Sequence, residues 1–380
     1  MSEYQYYEFQ AVDRPLTEQQ MSEMRSYSTR ARITATSFVN EYSWGNFKGD
    51  ENAWMEKYFD AFLYLANWGT HILMLRLPAR LLELGTAHQY CRRSASVREK
   101  DGKIILTFAS DEEAGDEWVE GDGQLSSLIS VRAELARGDL RALYLGWLLC
   151  AQNGELDDDE IEPPVPAGLG QLSASLESFA EFLRIDSDLI DAAAAASPPL
   201  VEMEPDPAEI REWVARLPSA EKDDLLALLI GGSDGAPVTE LVQRMRRERA
   251  SAHGADPTVA ERRTVAALVR AGEQAADERM RIAAEKAAQK KAQSERAAAR
   301  ARAMHLDQLA GREPVLWRKV ESLVAIKQPK SYDQAVELLV DLRDLAARKN
   351  EVGFRQQVEA LRAAHGGKRT LIARLDRAGL

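Results

Sequence analysis

"HILMLRLP", residues 71–78, decides the fold of the N-terminal region, because nearly every side chain in it is apolar. A strand that alternates apolar and polar residues packs on one face, whereas a continuous apolar run is typical of a strand covered on both faces. We therefore predict a sheet that has a layer of structure on each side.

Neighbouring stretches predict the other strands of this sheet. "YQYYEFQAV" (4–12) and "ARITATSFVNEYSW" (31–44) are rich in aromatic and β-branched residues, as strands are. "SVREKDGKIILTF" (96–108) predicts a hairpin, because Asp101-Gly102 supplies the positive φ angles of a type I′ turn.

Two helices are expected between these strands. Thr17 and Gln20 form a capping box, and Asp50 can cap a helix whose apolar face carries Trp54, Tyr58, Phe62 and Leu65. The order of elements predicts a small α+β domain with one mixed sheet over residues 1–110.

The remainder of the chain is predicted to be mainly α-helical. Residues 111–250 indicate short packed helices joined by acidic linkers, of which "NGELDDDEIEPPVPAG" (153–168) has too few apolar residues to pack. One long helix is expected over residues 257–310, and the spacing of leucines and valines predicts a C-terminal helical module over 311–380.

The charges are divided unevenly along the chain. The net charge is −12, yet residues 241–380 carry 29 Lys and Arg against 18 Asp and Glu. A basic tail on an acidic body fits two partners, namely a nucleic acid or an acidic protein surface, which can be that of the chain's own body.

The centre of the basic tail is "ERMRIAAEKAAQKKAQSERAAARARA", residues 278–303. A coiled coil is excluded because bulky residues at heptad positions are missing. A solvated, alanine-stabilised strut is the favoured interpretation, and a nucleic-acid grip is the alternative. Candidate nucleic-acid-binding residues are Arg244, Arg246, Arg247 and Arg249 of "RMRRER", with Lys286, Lys290, Arg296 and Arg300, which fall within about 120° of helical arc.

Catalytic and metal-binding patterns are missing from the sequence. It contains no Walker loop, GxGxxG, GxSxG, HExxH or CxxC motif. His88 and Cys91 are spaced so that they could touch, but no third partner is evident. The acidic run at residues 157–160 lacks the register of an EF-hand and is expected to be solvated. We expect neither enzymatic activity nor a cofactor nor a metal.

Aromatic residues are concentrated near the N-terminus, and most of them must form the core. Tyr4, Tyr6 and Trp44 are the candidates for a protein-binding surface, because exposed Tyr and Trp anchor many interfaces. Base stacking is the rival interpretation, although an acidic domain is a poor place for a phosphate backbone.

Cytoplasmic residence is the expectation. The sequence has no apolar run of membrane-spanning length, the pattern of a signal peptide is missing, and two cysteines are too few for a disulfide framework. No contact with a membrane is therefore predicted.

Several stretches resemble an uncharacterised family of bacterial proteins over nearly the whole length. They are "YYEFQAVDRPLT", "STRARITATSFVNEYSWGNFKGD", "FDAFLYLANWGTHILMLRLP", "EPPVPAGLG" and "KQPKSYDQAVELLVDLRDLA". The closing "KRTLIARLDRAGL" is similar, more weakly, to the tails of bacterial SWIM zinc-finger proteins. Since the chain lacks the Cys-x-Cys…Cys-x-His ligands of that finger, the resemblance implies no metal or DNA role.

These observations favour a non-enzymatic adaptor or scaffold subunit of a cytoplasmic bacterial protein complex. The alternative is a nucleic-acid-associated subunit that uses the basic C-terminal third of the chain.

Overall fold

The computed structural model describes residues 4–111, 120–200, 206–230, 239–245, 248, 262–349 and 353–380. Contacts divide the chain into two compact units, Met1–Arg279 and Met280–Leu380. An α+β sheet region followed by a mainly helical remainder with one long helix confirms the predicted fold class. Within the described residues, no helix is long and apolar enough to cross a membrane.

Seven strands form one sheet in the N-terminal unit, in the order β2-β3-β1-β4-β5-β7-β6. Each neighbouring pair is antiparallel. The prediction of a mixed sheet was therefore wrong in this detail. The strands are β1 (Gln5–Gln10), β2 (Arg32–Ile33), β3 (Ser37–Tyr42), β4 (Ala61–Ala66), β5 (Thr70–Pro78), β6 (Ala95–Lys100) and β7 (Lys103–Asp111).

The helices of the N-terminal unit lie around this sheet and continue beyond it. Thr17 caps the first helix with the predicted capping box. The helices are α1 (Glu18–Tyr27), α2 (Glu51–Lys57), α3 (Leu84–His88), α4 (Gln124–Ala136), α5 (Arg141–Gln152), α6 (Ala174–Phe182), α7 (Ser187–Ala194), α8 (Pro207–Arg216), α9 (Ser219–Ile230) and the start of α10 (Val265–Leu309).

Both faces of the sheet are covered, as the apolar run of β5 predicted. On one face, strand residues such as Leu73 and Phe108 share a core with α4 to α7 and with Val265 and Leu268 of α10. On the other face, α1, α2 and the preceding loop bury a dense aromatic cluster. Its aromatic members are Tyr7, Phe9, Phe38, Phe47, Trp54, Tyr58, Phe59 and Phe62.

A buried ion cluster closes the sheet end at which β1 finishes and β4 begins. Asp60 is 1% exposed, and its Oδ2 accepts hydrogen bonds from the backbone N–H groups of Val12 and Asp13, at 2.8 and 2.9 Å. Its Oδ1 accepts from Arg76 Nε and Nη2, at 3.1 and 2.8 Å. Arg132 of α4 completes the cluster through Asp13 Oδ2, at 2.6 Å. One carboxylate thus joins a loop, two strands and, through Asp13, a helix.

The predicted helix after Asp50 is too long by slightly more than two turns. Asp50 does cap α2, but that helix ends at Lys57, and residues 61–66 form strand β4. Since almost every residue of that stretch is apolar, its periodicity fits a buried strand as well as a helix. The prediction was therefore wrong for Phe62 and Leu65, which belong to the sheet.

Part of the acidic linker at residues 153–168 is packed, which corrects the prediction for Glu162, whereas Asp157, Asp158 and Asp159 are exposed as expected. Glu162 is 1% exposed and accepts a hydrogen bond from the phenol of Tyr144. Arg263 binds the same carboxylate through Nη2 to Oε1 at 2.7 Å and Nε to Oε2 at 2.9 Å. A β-bridge pairs Ile161 with Thr264. The linker therefore fastens the start of α10 to the helices that cover the sheet.

The C-terminal unit is a separate helical module with its own apolar core. Leu306, near the end of α10, lies in this core together with residues of the four closing helices. These helices are α11 (Glu313–Ile326), α12 (Pro329–Lys349), α13 (Gly353–His365) and α14 (Arg369–Arg377).

Candidate protein-binding surface

Two exposed tryptophans lie at the end of the sheet opposite the ion cluster. Trp44 follows β3 and is 72% exposed, and Trp68 follows β4 and is 45% exposed. Among the described residues, these are the two most exposed aromatic side chains. Tyr42 and Ala66, the last residues of β3 and β4, both pair with Gln5 of the intervening strand β1. Their Cα atoms are therefore two strand spacings apart, or about 10 Å. We call the two turns, residues 43–46 and 67–69, the tryptophan surface.

Hydrogen bonds from the side chain of Gln5 anchor the Trp44 turn. Its side chain is buried, and its Nε2 donates to the carbonyl oxygen of Gly45 at 2.9 Å and to Asn46 Oδ1 at 3.1 Å. Its Oε1 accepts hydrogen bonds from the phenols of Tyr7 and Tyr64, at 2.9 and 3.0 Å. All four hydrogen-bonding positions of the amide are used, so its orientation is fixed.

The two phenols can only donate to Gln5 while they keep their protons. Burial is the main cause that raises the pKa of Tyr7 and of Tyr64 above the ordinary value. Both side chains therefore stay protonated at neutral pH, and the amide network persists.

The Trp68 turn is held by a second set of contacts. The backbone N–H of Tyr4 donates to Asn67 Oδ1 at 2.9 Å, and the N–H of Asn67 donates to the carbonyl oxygen of Tyr4 at 3.0 Å. Gly69 has φ +108°, which a side chain rarely adopts, and its carbonyl oxygen accepts from Arg184 Nη1 at 2.9 Å. Trp68 therefore sits between two anchored residues.

A buried histidine supports the same turn. His71 is 5% exposed, its ring stacks on Phe182 with centroids 4.8 Å apart, and its Nδ1 lies 2.6 Å from the carbonyl oxygen of Phe182. If Nδ1 carries the proton, Nε2 accepts from Arg184 Nη2 at 3.3 Å. Burial, with the nearby Arg184 charge, lowers the pKa of His71, which favours the neutral ring that this arrangement needs.

Positively and negatively charged side chains both lie around the tryptophan surface. The guanidinium of Arg30 lies 5.8 Å from the centroid of the Trp44 ring, within cation–π range. Glu41, Glu120 and Asp122 each raise the pKa of Tyr4 electrostatically, although burial is the larger cause. An apolar pair inside a polar rim is the usual composition of a protein interface.

The three aromatic residues that were proposed from the sequence as a protein-binding surface differ in their exposure. Trp44 is exposed as expected, and Tyr4 is partly buried. Tyr6 is 1% exposed and cannot form a surface contact, because its face of the sheet is covered and Gly121 lies against its ring. Trp68 was missed as a surface residue, since its sequence neighbourhood looked like part of the core.

The proposed nucleic-acid-binding residues fall into three groups. Arg244 is engaged by Glu221 and Glu248, at 2.6 and 3.0 Å, and lies over the Trp213 ring, so its charge is already compensated. Arg246, Arg247 and Arg249 lie outside the described residues. The remaining four are exposed on α10, namely Lys286, Lys290, Arg296 and Arg300.

The candidate nucleophile pair has the wrong environment. Burial raises the pKa of Cys91 to about 12, so its thiol is not ionised at neutral pH, and His88 lies on the surface. The cleft lined by Arg80, Glu83 and Gln243, with a volume of about 500 Å³, contains neither residue. Within the described ranges, no group of three or more His, Cys, Asp or Glu is placed to hold a metal.

Comparison of the chain with protein-family models, curated proteins and solved structures returns no match. The resemblance to a bacterial family therefore stays a prediction, and the function has to be argued from the residues themselves.

Proposed function

We propose that this chain is a non-enzymatic adaptor or scaffold subunit of a cytoplasmic bacterial protein complex, and that the tryptophan surface binds its protein partner. The observation that carries the proposal is the exposure of Trp44 on a turn whose backbone is fixed by a buried amide network. Trp is among the residues most often found at the energetic centre of interfaces.

The rigid support favours a binding role over incidental exposure. A side chain on an anchored turn loses little conformational freedom on binding, so more of the contact energy is available for affinity. Gln5 and Asn67 supply that support on the two sides of β1. Two tryptophans on turns that follow strand ends about 10 Å apart can enter neighbouring pockets of one partner.

The proposal is tested by placing an aromatic photo-crosslinking amino acid, such as p-benzoylphenylalanine, at position 44, 68 or 12 of the full chain in the bacterial cell, so that an aromatic side chain is kept at the two tryptophan positions. Val12 is a matched control, because it is 46% exposed but lies beyond the other end of β1. We expect the same discrete crosslinked protein from positions 44 and 68 and not from position 12. Equal crosslinking from all three positions, or none from 44 and 68, would refute the proposal.

A second arm separates the roles of the tryptophans and of their support. The crosslinker is placed at Glu41, which is exposed next to the surface, in chains that carry Trp44→Ala or Gln5→Leu. Both substitutions should reduce the crosslink, Trp44→Ala by removing the contact and Gln5→Leu by freeing the turn. An unchanged yield in the Trp44→Ala chain would exclude Trp44 as an anchor.

A further inference from the structure

Four cations on α10 form a strip that is open to solvent. Every residue from 277 to 301 is exposed, and Lys286, Lys290, Arg296 and Arg300 lie within about 120° of arc. At 1.5 Å per residue, the strip extends over about 21 Å. We call these four residues the basic strip.

The four cations of the basic strip differ in their partners from two other cations of α10. In the described structure, none of its four side chains forms an ion pair, whereas Arg279 and Arg302 on the same helix bind Asp188 and Asp344. Its members are also spaced four residues apart as like-charge pairs, 286 with 290 and 296 with 300. Like charges at this spacing destabilise a helix. The strip itself therefore gains no support from opposite charges at this spacing.

Between residues 286 and 300, the arc of the strip contains further donors and no acid. Gln289 and Gln293 fall inside the same arc, and their amides can donate to anionic oxygens. Glu295 lies on the opposite side of the helix, and Glu285 lies outside the arc at its N-terminal end. The charge balance of this unit agrees, since residues 280–380 carry 21 Lys and Arg against 12 Asp and Glu.

Alanine is the bulkiest apolar residue in the stretch 283–303, and this decides between possible anionic partners. A protein interface needs a desolvated apolar centre, and a membrane-bound helix needs a face that enters the lipid. Phosphodiester contacts need neither, because affinity comes from cations that release counterions and from side-chain donors to phosphate.

We infer that the basic strip binds the sugar–phosphate backbone of a nucleic acid without reading its sequence. This role is independent of the tryptophan surface, which belongs to the N-terminal unit.

The test measures binding of the full chain to a fluorescent 20-nucleotide single-stranded DNA, the same sequence as RNA, and the DNA duplex, between 0.05 and 0.3 M salt. The strip variant carries Lys286→Gln, Lys290→Gln, Arg296→Gln and Arg300→Gln. The control variant removes the same number of exposed cations of the same types from the same unit, none of them in an ion pair, through Arg318→Gln, Lys319→Gln, Lys330→Gln and Arg355→Gln. Circular dichroism confirms that each variant keeps its helices.

We expect the strip variant to bind at least tenfold more weakly, and the control variant to lose less than twofold. For a single strand, the slope of log affinity against log salt should become shallower by about 3 when four phosphate contacts are lost. The three probes show whether the backbone preferred is RNA, single-stranded DNA or duplex, and preferred binding to any of them supports the inference.

Three results would overturn it. The first is no binding of any probe at the lowest salt, and the second is an equal loss in the strip and control variants. The third is competition by poly-glutamate as effective as that by nucleic acid, which would assign the strip to an acidic protein surface.

Discussion

Asp60→Asn should be among the most destabilising single-atom exchanges in the N-terminal unit. The carboxylate has two oxygens with different donors, Arg76 on Oδ1 and the N–H groups of Val12 and Asp13 on Oδ2. An asparagine has one acceptor oxygen, so its NH₂ group must face one of the two donor sets whichever way the amide is turned. The substitution also leaves Arg76, whose side chain is 12% exposed, without its counter-charge.

The expected loss is about 3 to 5 kcal/mol, the range for breaking one side of a buried ion pair. Urea unfolding followed by tryptophan fluorescence measures it, because six of the seven tryptophans lie in residues 1–279. Asp122→Asn is the control, since Asp122 pairs with Arg32 on the surface, with side chains 73% and 64% exposed. An exposed pair contributes at most about 1 kcal/mol. A loss below about 1 kcal/mol in Asp60→Asn would refute the reasoning.

The pH dependence of this difference is a second check. Burial alone would raise the pKa of Asp60, but Arg76 and the backbone N–H of Asp13 outweigh it and hold that pKa below the ordinary value. The stabilisation is therefore complete above about pH 4 and is lost as the pH falls through the folded-state pKa. Since the asparagine variant cannot lose it, the gap between the two proteins should narrow in acid. A gap that stays constant down to pH 2 would contradict the assignment.

Three further predictions concern other buried groups. Burial raises the pKa of Cys91 and of Cys150 to about 12. Neither thiol should therefore react with a disulfide reagent at pH 8 in the native chain, and both should react once the chain is unfolded. Fast reaction in the native state would contradict this prediction. Burial and the nearby Arg184 lower the pKa of His71, so the free energy of unfolding should fall as the pH drops below about 6.5. His71→Gln should remove this part of the pH dependence of stability between about pH 7.5 and 5.5. An unchanged pH dependence in the variant would exclude His71 as its source. Arg263→Met should lower the free energy of unfolding in urea by about 3 kcal/mol, because it leaves Glu162 buried without its cation. Adding Glu162→Gln should recover much of this loss. No recovery in the double variant would show that the uncompensated charge is not the cause.

The sequence was sufficient for the strands whose pattern is local. The hairpin at Asp101-Gly102 has positive φ at both residues, 50° and 70°, as a type I′ turn requires. The continuous apolar run at 71–78 correctly indicated two covered faces. The stretch at 61–66 failed for a related reason, because a fully buried strand and a buried helix have the same apolar composition.

The candidate site depended on contacts that the sequence does not show. Gln5 is an ordinary polar residue within a strand, and its role depends on Gly45, 40 residues away, and on Tyr64, 59 residues away. Glu162 belongs to an acidic run whose members look alike, and it differs from them because Arg263, 101 residues later, neutralises it. Exposure of Trp44 could be predicted from its turn, whereas burial of Tyr6 depends on helices that arrive much later in the chain.

The position of β1 within the sheet has a consequence for how the chain is made. This strand is synthesised before both of its neighbours, and four of the helices that cover the Tyr6 face, α4 to α7, end near residue 194. At about 5 to 20 residues per second, the ribosome needs about 10 to 40 s to add them. During that time the aromatic and leucine-rich strands have no complete cover, so a nascent chain stopped near residue 111 should aggregate unless a chaperone holds it.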